Sequence, residues 1–368
     1  MSGRAAVFHG PDRPLELVEI PRPVPGVGEL LVRVTCCTLC RSDLHTHAGR
    51  RTEPTPIILG HEIVGAIEAF GPSAPHVDAR GEAATAGDRV TWAIVANCGS
   101  CFFCNEGLPQ KCQRAYKYGH HRFSPDHPAG GGLADYVLLA PGTSWYRVPS
   151  QLSDQVAAMA NCAIATVAGL LSDGTSVDGR TVVVFGAGVL GLTACAMAQA
   201  AGARNVIVVD PHPECAERAQ QFGAMHALPD VETLKPVLHE LTDGRGADLA
   251  LELSGAGQAV RAGVELTRVG GTLLLAGTVS PTATVAIEPE AVVRRMLTVR
   301  GVHNYRPRDL ETALTFLAGV GRTFPFDDLV SAEFPLERAD EAFAWAHARS
   351  GVRVAVRPKG DVASSDAS

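Results

Sequence analysis

Apolar positions in the first 35 residues fall in short runs rather than at helical spacing: AAVF (5–8), LELVEI (15–20) and ELLVRV (29–34), with Pro and Gly clustered at 21–28. Short runs of this kind, bounded by turn formers, predict strands. VTWAIVA (90–96) and DYVLL (135–139) continue the pattern, so a compact, irregular β domain is expected. Near residue 151 the texture changes. Residues 153–171 are Ala-rich and predict a helix, and TVVVFGAGVLGLTACAMAQAAGA (181–203) reads as a buried strand, a glycine turn and an apolar helix. NVIVVD (205–210), DLALEL (248–253), TLLLA (272–276) and LTVRG (297–301) are strand-like runs alternating with helix-like segments. That alternation predicts a parallel, doubly wound sheet. From about 302 a helical stretch (309–319), AFAWAHA (342–348) and VRVAV (352–356) are expected to return to the first domain, before a polar tail, DVASSDAS. The fold class is therefore α/β: a β-rich domain at 1–152 and 302–368, and a doubly wound domain at 153–301.

Composition narrows the possibilities. A chain of 368 residues, 46% apolar and 19% charged, can form two domains with separate cores. A net charge of −7 argues against a nucleic-acid partner, which favours a basic face. The start, MSGRAAVFHG, has no apolar core of a secretory signal, and no run approaches the roughly 20 apolar residues of a bilayer span. A cytoplasmic protein with no membrane partner is expected. Ten cysteines without an export signal then read as metal ligands or reduced thiols rather than disulfides. Seven of them (Cys36, Cys37, Cys40, Cys98, Cys101, Cys104 and Cys112) precede position 113, which puts the metal chemistry in the N-terminal half.

Cys98, Cys101, Cys104 and Cys112 are spaced C-x2-C-x2-C-x7-C. Four thiolates this close can close a tetrahedral shell around one zinc with no open position, the mark of a structural site. C-R-S-D-L-H at 40–45 and G-H-E at 60–62 place a thiol, Cys40, and an imidazole, His61, beside the carboxylates Asp43 and Glu62. Cys40 and His61 are ligand types that zinc prefers, and the carboxylates suit the shell that orients ligands. Ser42 and His45 add a hydroxyl and an imidazole able to carry a proton. Alone, this stretch is equally a strand-loop cysteine and a turn histidine with no shared partner. Gly186, Gly188 and Gly191 form G-x-G-x-x-G between a strand and a helix, where backbone N–H groups and the helix dipole hold a pyrophosphate. Asp210 ends the next strand; a carboxylate there bonds ribose hydroxyls and repels a 2′-phosphate, which favours NAD over NADP.

A four-cysteine lobe (97–113), the C-R-S-D and G-H-E pair and a later G-x-G-x-x-G together resemble the zinc-dependent medium-chain alcohol dehydrogenases over nearly the whole chain. The resemblance implies a GroES-like catalytic domain and a Rossmann domain, two zinc ions per chain, NAD, and a homodimer or homotetramer. It implies that Cys40, His61 and Cys162 hold the catalytic zinc, with Glu62 close behind and Asp43 on the His61 imidazole. Ser42 would take the alcohol proton and His45 would pass it on. Arg41, Thr166, Gly186, Gly188, Val189, Leu190, Gly191, Asp210, Gly277, Val302 and Asn304 would meet the cofactor. One departure stands out: the family's Lys or Arg five residues after the strand-end acid is Cys215 here, with His212 and Arg218 as candidate substitutes.

By the same resemblance Arg51, Ile94, Lys117, His127 and His303 face the substrate. Arg, Lys and His in such a pocket are costly to desolvate unless an anion neutralises them, and Arg suits a carboxylate or phosphonate. QKCQRAYKYGHH (110–121), NCAIATVAGLL (161–171) and GVHNYRPRDL (301–310) also resemble a subgroup linked to phosphonate catabolism. The expected activity is hydride transfer between a small anionic alcohol, such as 2-hydroxyethyl- or hydroxymethylphosphonate, and nicotinamide, in either direction. A polyol or a 3-hydroxy amino acid such as threonine is the alternative. Two rivals remain: a catalytically inactive binding protein on the same fold, which would lack a zinc ligand or the relay, and a zinc-free quinone-reductase-like enzyme, which would lack both metal sites.

Overall fold

The short apolar runs of the N-terminal part pair as strands that present one face to a core. The computed structural model describes residues 2–124, 128–172, 176–279, 283–349 and 351–358; the polar tail and His127 lie outside these described residues. The chain forms two units, Met1–Cys162 with Arg306–Leu314 and Asp327–Ser368, and Ala163–Tyr305 with Thr315–Phe326.

In the first unit the strand Leu30–Thr38 pairs antiparallel with Glu62–Phe70, Tyr136–Leu139 and Arg353–Arg357. Arg89–Trp92 and Trp145–Arg147 extend the sheet on one side, and Val330–Pro335 on the other. The run 90–96 is thus split: Val95–Ala96 leaves this sheet and pairs with Tyr116–Lys117. Val32, Ile63, Ile67, Trp92, Phe343 and Val354 are buried in the core. Register has a consequence for the site. Thr38 pairs with Glu62 on one side and with Ala355 on the other, which brings Thr38, Glu62 and Arg353 together.

The Ala-rich segment is helical but not uniform: Asp154–Met159 is α, Ala160–Ile164 is π and Ala165–Ser172 is α again. Ser153 caps it, its hydroxyl accepting the Val156 N–H at 3.2 Å. Asp154–Met159 packs on Leu30–Thr38 and Glu62–Phe70, so the first unit extends to Cys162 rather than to 152. Residues 315–326 join the second unit, where Phe324 stacks on Phe222 and Phe316 and Phe326 meets the same two rings edge-on. By length and composition Asp154–Ser172 could cross a membrane, contrary to the expectation that no run comes near that limit. With 78% of its apolar window buried inside the fold, it is a core helix.

The second unit is built on six parallel strands in the order His226–Leu228, Asn205–Val209, Thr181–Phe185, Ala247–Glu252, Thr267–Leu275, Thr298–Gly301. Numbered along the chain, that order is 3-2-1-4-5-6, the Rossmann arrangement, with its switch point between the first and fourth strands. The Gly186–Gly191 turn sits at that point. Gly186 has φ 99°, a left-handed conformation that favours glycine, and a Cβ on Gly191 would overlap the Gly186 carbonyl oxygen. Gly191→Ala should therefore lower the stability of this unit by about 1–3 kcal/mol; an unchanged melting temperature would show that the turn has room to relax.

Candidate active site

The helix Arg41–His47 begins directly after the strand Leu30–Thr38, with Cys40 as its N-cap residue. Asp43, in the first turn, reaches back with Oδ2 to accept the Cys40 N–H at 2.9 Å. Its Oδ1 accepts the Gly60 N–H at 3.2 Å and bonds His61 Nδ1 at 3.0 Å. One buried carboxylate thus fixes both the helix start and the 60–62 turn. With Nδ1–H donated to Asp43, the His61 lone pair is on Nε2. Cys162, in the π segment, lies with its Sγ 3.9 Å from that of Cys40. Ligand atoms of Cys40, His61 and Cys162 all fall within 4.8 Å of one another. Two thiols and an imidazole are the donors of a three-ligand zinc site with one open position, so the residues fit that ion.

Electrostatics agree with that donor set. The Cys162 thiol's hydrogen bond holds Cys40 well below the usual thiol range, with Arg353 and His61 assisting against burial. The same contact, followed by burial, raises Cys162. Burial opposes a charge on His61, but Asp43 and Cys40 outweigh it and raise its pKa to about 10. A dication at this cluster would displace these protons, so its retention should weaken as pH falls.

Cys98, Cys101, Cys104 and Cys112 also converge within 4.8 Å. Backbone N–H groups of Cys98 and Arg114 each donate to the Cys112 sulfur at 3.3 Å. The Ser100 N–H and then the Arg114 guanidinium draw Cys98 down to about 5. A closed set of four sulfurs fits a structural zinc.

In the second unit the turn after Thr181–Phe185 leads to the helix Val189–Ala200, whose N-cap is Gly188; Leu190 lies in the helix's first turn. A Cβ on Gly188 would meet nothing within 4 Å, which leaves space for a phosphate against the helix start. The buried Asp210 accepts the Ala187 N–H at 2.8 Å and the His212 N–H at 2.9 Å, tying the end of its strand to the glycine turn. Cys215 is buried on the helix Pro213–Gln221, so this position presents no cation. Val302 donates to the Leu275 carbonyl at 2.8 Å, and Asn304 has a φ of 58°. A Cβ on Gly277 would meet the Gly255 nitrogen at 2.5 Å. Thr166 and the exposed His303 belong to this unit, and the exposed Arg41 to the first.

Of the substrate-facing candidates, Ile94, Lys117 and Arg51 lie in the first unit. Tyr116–Lys117 pairs with Val95–Ala96, and the Ile94 carbonyl accepts the Tyr118 N–H at 3.0 Å. The hairpin presses on the 60–62 turn: a Cβ on Gly119 would lie 3.0 Å from His61 Cβ. His120, one residue further, stands with its ring 5.2 Å from that of His61. Its Nδ1 bonds Glu53 Oε1 at 2.9 Å, and Arg51 Nη2 meets the same oxygen at 2.7 Å. Arg51 and His120 therefore converge on a carboxylate of the chain itself.

A model of the alcohol dehydrogenase GroES-like domain matches residues 26–150, and one of the zinc-binding dehydrogenase domain matches 189–319. The chain is 31% identical to 5-exo-hydroxycamphor dehydrogenase of Pseudomonas putida, over 92% of this chain and 94% of that one. The chain belongs to the zinc-binding medium-chain alcohol dehydrogenase family. L-Threonine 3-dehydrogenase of Saccharopolyspora erythraea is equally similar, 31% over 94% and 96% of the two chains. A zinc-binding dehydrogenase of Sinorhizobium meliloti, solved with NADP, is 26% identical with a TM-score of 0.83, over 97% of this chain and all of that one.

Four residues of this dehydrogenase's site escaped the sequence reading. Arg353 donates to Glu62 Oε2 from Nε at 2.8 Å and to Oε1 from Nη2 at 2.9 Å, and reaches the Cys40 sulfur at 3.6 Å. Thr38 donates to Glu62 Oε2 at 2.7 Å. Burial, against Arg353, raises Glu62 to about 7, with Cys40 adding to the rise. The signal was present: Arg353 interrupts a run of valines in a short core strand. Glu53 and His120 complete the list. Arg353→Ala should cost about 3–5 kcal/mol in denaturant unfolding, because it strands a buried carboxylate beside sulfur. A loss below about 1 kcal/mol would mean that water reaches Glu62.

Proposed function

We propose that this dehydrogenase uses NAD and two zinc ions to oxidise a small alcohol carrying an anionic group, or to reduce the matching aldehyde. Cys40, His61 and Cys162 would hold one zinc, and the four-cysteine lobe the other. When bound, the first ion supplies Lewis acidity that lowers the pKa of an alcohol hydroxyl, and nicotinamide supplies the hydride acceptor. Ser42, whose Oγ is 3.3 Å from His61 Nε2, is placed to accept the hydroxyl proton. His45 lies one turn further along the same helix face. Among the described residues no direct hydrogen bond joins the two, so the proton would cross by a short rotation or a water. Burial, then Arg41 and Arg50, lower the His45 pKa, which keeps it neutral and ready to take that proton. Asp43 holds His61 in orientation while the Glu62–Arg353 pair backs Cys40.

Lys117 carries the substrate reading. It is half-buried on the hairpin that contacts His61, and it has no ion-pair partner among the described residues. Burial first, then Arg51, lower its pKa to about 8. An ammonium held there at a cost is relieved by an incoming anion, with Arg51 as a second cation. Hydroxyalkylphosphonates such as 2-hydroxyethyl- and hydroxymethylphosphonate fit, with Ile94 as a further contact. Glu53 favours a second reading: a carboxylate beside two cations also suits a zwitterion such as threonine, the substrate named for one relative.

Elemental analysis should give two zinc ions per chain, and Cys162→Ser should leave one; a single ion in the wild type would sink the two-site reading. NADH formation should be faster with phosphonate or hydroxy-acid alcohols than with a neutral alcohol of equal length. Lys117→Met should erase that preference, by about 2–5 kcal/mol in transition-state terms. Equal rates for neutral and anionic alcohols would leave the family standing and remove the anionic substrate. Asp210 supports NAD, although a structural neighbour holds NADP; Asp210→Gly should move the coenzyme preference toward NADP, and a wild type already preferring NADP would reject the assignment. The edge strand Thr298–Gly301, with exposed Val293, Met296 and Val299 on and before it, supports pairing of two copies.

A further inference from the structure

We propose that Glu53 sets the charge preference of this site, so that it takes an alcohol bearing one negative charge and disfavours the dianion of the same shape. This inference rests on the anionic-substrate reading above and narrows it, to a hydroxy acid or the monoanion of a hydroxyalkylphosphonate rather than the phosphonate dianion. The Glu53 carboxylate is 13% exposed, and one of its oxygens is shared by Arg51 Nη2 at 2.7 Å and His120 Nδ1 at 2.9 Å. The His120 side chain is 4% exposed, and its Nδ1–H donates to Glu53; a neutral imidazole makes that bond without the cost of a buried charge, so His120 is left out of the sum. Arg51 and Lys117 are each half-buried cations. The sum of Arg51 (+1), Lys117 (+1) and Glu53 (−1) is one positive charge. Arg41, Arg50 and Lys111 are exposed, where water screens them.

A ligand with one negative charge neutralises this sum. A second negative charge enters a partly desolvated site with no cation left to pair, and it faces Glu53 at close range. The carboxylate therefore acts as a repulsive element, which is how a site separates ligands of equal shape. Without Glu53 the sum is +2, and a dianion becomes the better match. Glu53 is a specificity-determining residue here and touches no reacting atom.

The test uses the zinc- and NAD-loaded protein and two unreactive anions of one shape. Ethyl sulfate carries one charge; ethyl phosphate is mostly doubly charged at about pH 7, because the second phosphate pKa is about 6, while the Lys117 ammonium stays mostly protonated there. Titration calorimetry should show ethyl sulfate binding at least about tenfold more tightly to the wild type. Glu53→Gln should reverse that order. The double variant Arg51→Gln with Glu53→Gln removes the ion pair but restores a sum of +1, so ethyl sulfate should lead again; this variant also guards against a single change that fails to fold. If the wild type binds ethyl phosphate as tightly as ethyl sulfate, or if Glu53→Gln keeps the sulfate preference, the proposal is overturned while the anionic site stands. If neither anion binds or competes with substrate, the anionic-substrate reading itself fails.

Discussion

The Asp43 carboxylate is the constraint on which the rest of the site depends. Three donors from two chain segments, the Cys40 N–H, the Gly60 N–H and His61 Nδ1, meet on its two oxygens. Each bond is charge-assisted and shielded from water, where an unmade partner would be expensive. A seven-residue helix has little stability of its own. Asp43 compensates by satisfying an N-terminal donor while it orients the imidazole that a metal needs. The same carboxylate thus serves folding and chemistry, and neither role can be changed without the other.

A second polar element closes the first unit from its far end. Arg353 and Glu62 are 291 positions apart, and the sheet register alone brings them together. A buried ion pair is weak evidence for stability, since desolvation offsets most of its attraction. Here, though, its geometry is two-pronged, Thr38 takes a further lone pair, and the guanidinium reaches the Cys40 sulfur. The pair ties the C-terminal strand Arg353–Arg357 to the ligand turn, so the return of the chain to the first unit has a function beyond filling the core.

What the sequence revealed follows from how local each feature is. The four-cysteine lobe and the glycine turn are short-range motifs, and both fold as their spacing implies. The doubly wound sheet was legible from the alternation of strand-like and helix-like runs. Cys162 was not legible by spacing, because a π segment aims its sulfur and a uniform helix was expected. The split of 90–96 into two strands of different sheets depends on partners far along the chain. Glu53 was invisible for the same reason, since it matters through partners set by loop packing, whereas Arg353 left a trace as a cation among valines whose partner only the tertiary register supplies. The cationic positions were expected to converge on a ligand, and Arg51 instead meets a carboxylate of the chain.

Two histidines, ring centres 5.2 Å apart, show how the site divides its field. Both donate Nδ1–H to a carboxylate, His61 to Asp43 and His120 to Glu53. Burial pushes both pKa values down. At His61 it is overcome, because Asp43 and Cys40 raise the value to about 10. At His120 burial wins despite Glu53, and Lys117, His61 and Arg51 take it to about 4. The similar pair geometry therefore gives opposite outcomes: Asp43 and then the Cys40 sulfur outweigh burial at His61, while at His120 the neighbouring cations add to burial and Glu53 does not offset them. A ligand lying across that boundary meets a negative donor set at one end and a positive cluster at the other. A hydroxyl directed at the first and an anionic group at the second is the orientation such a field favours.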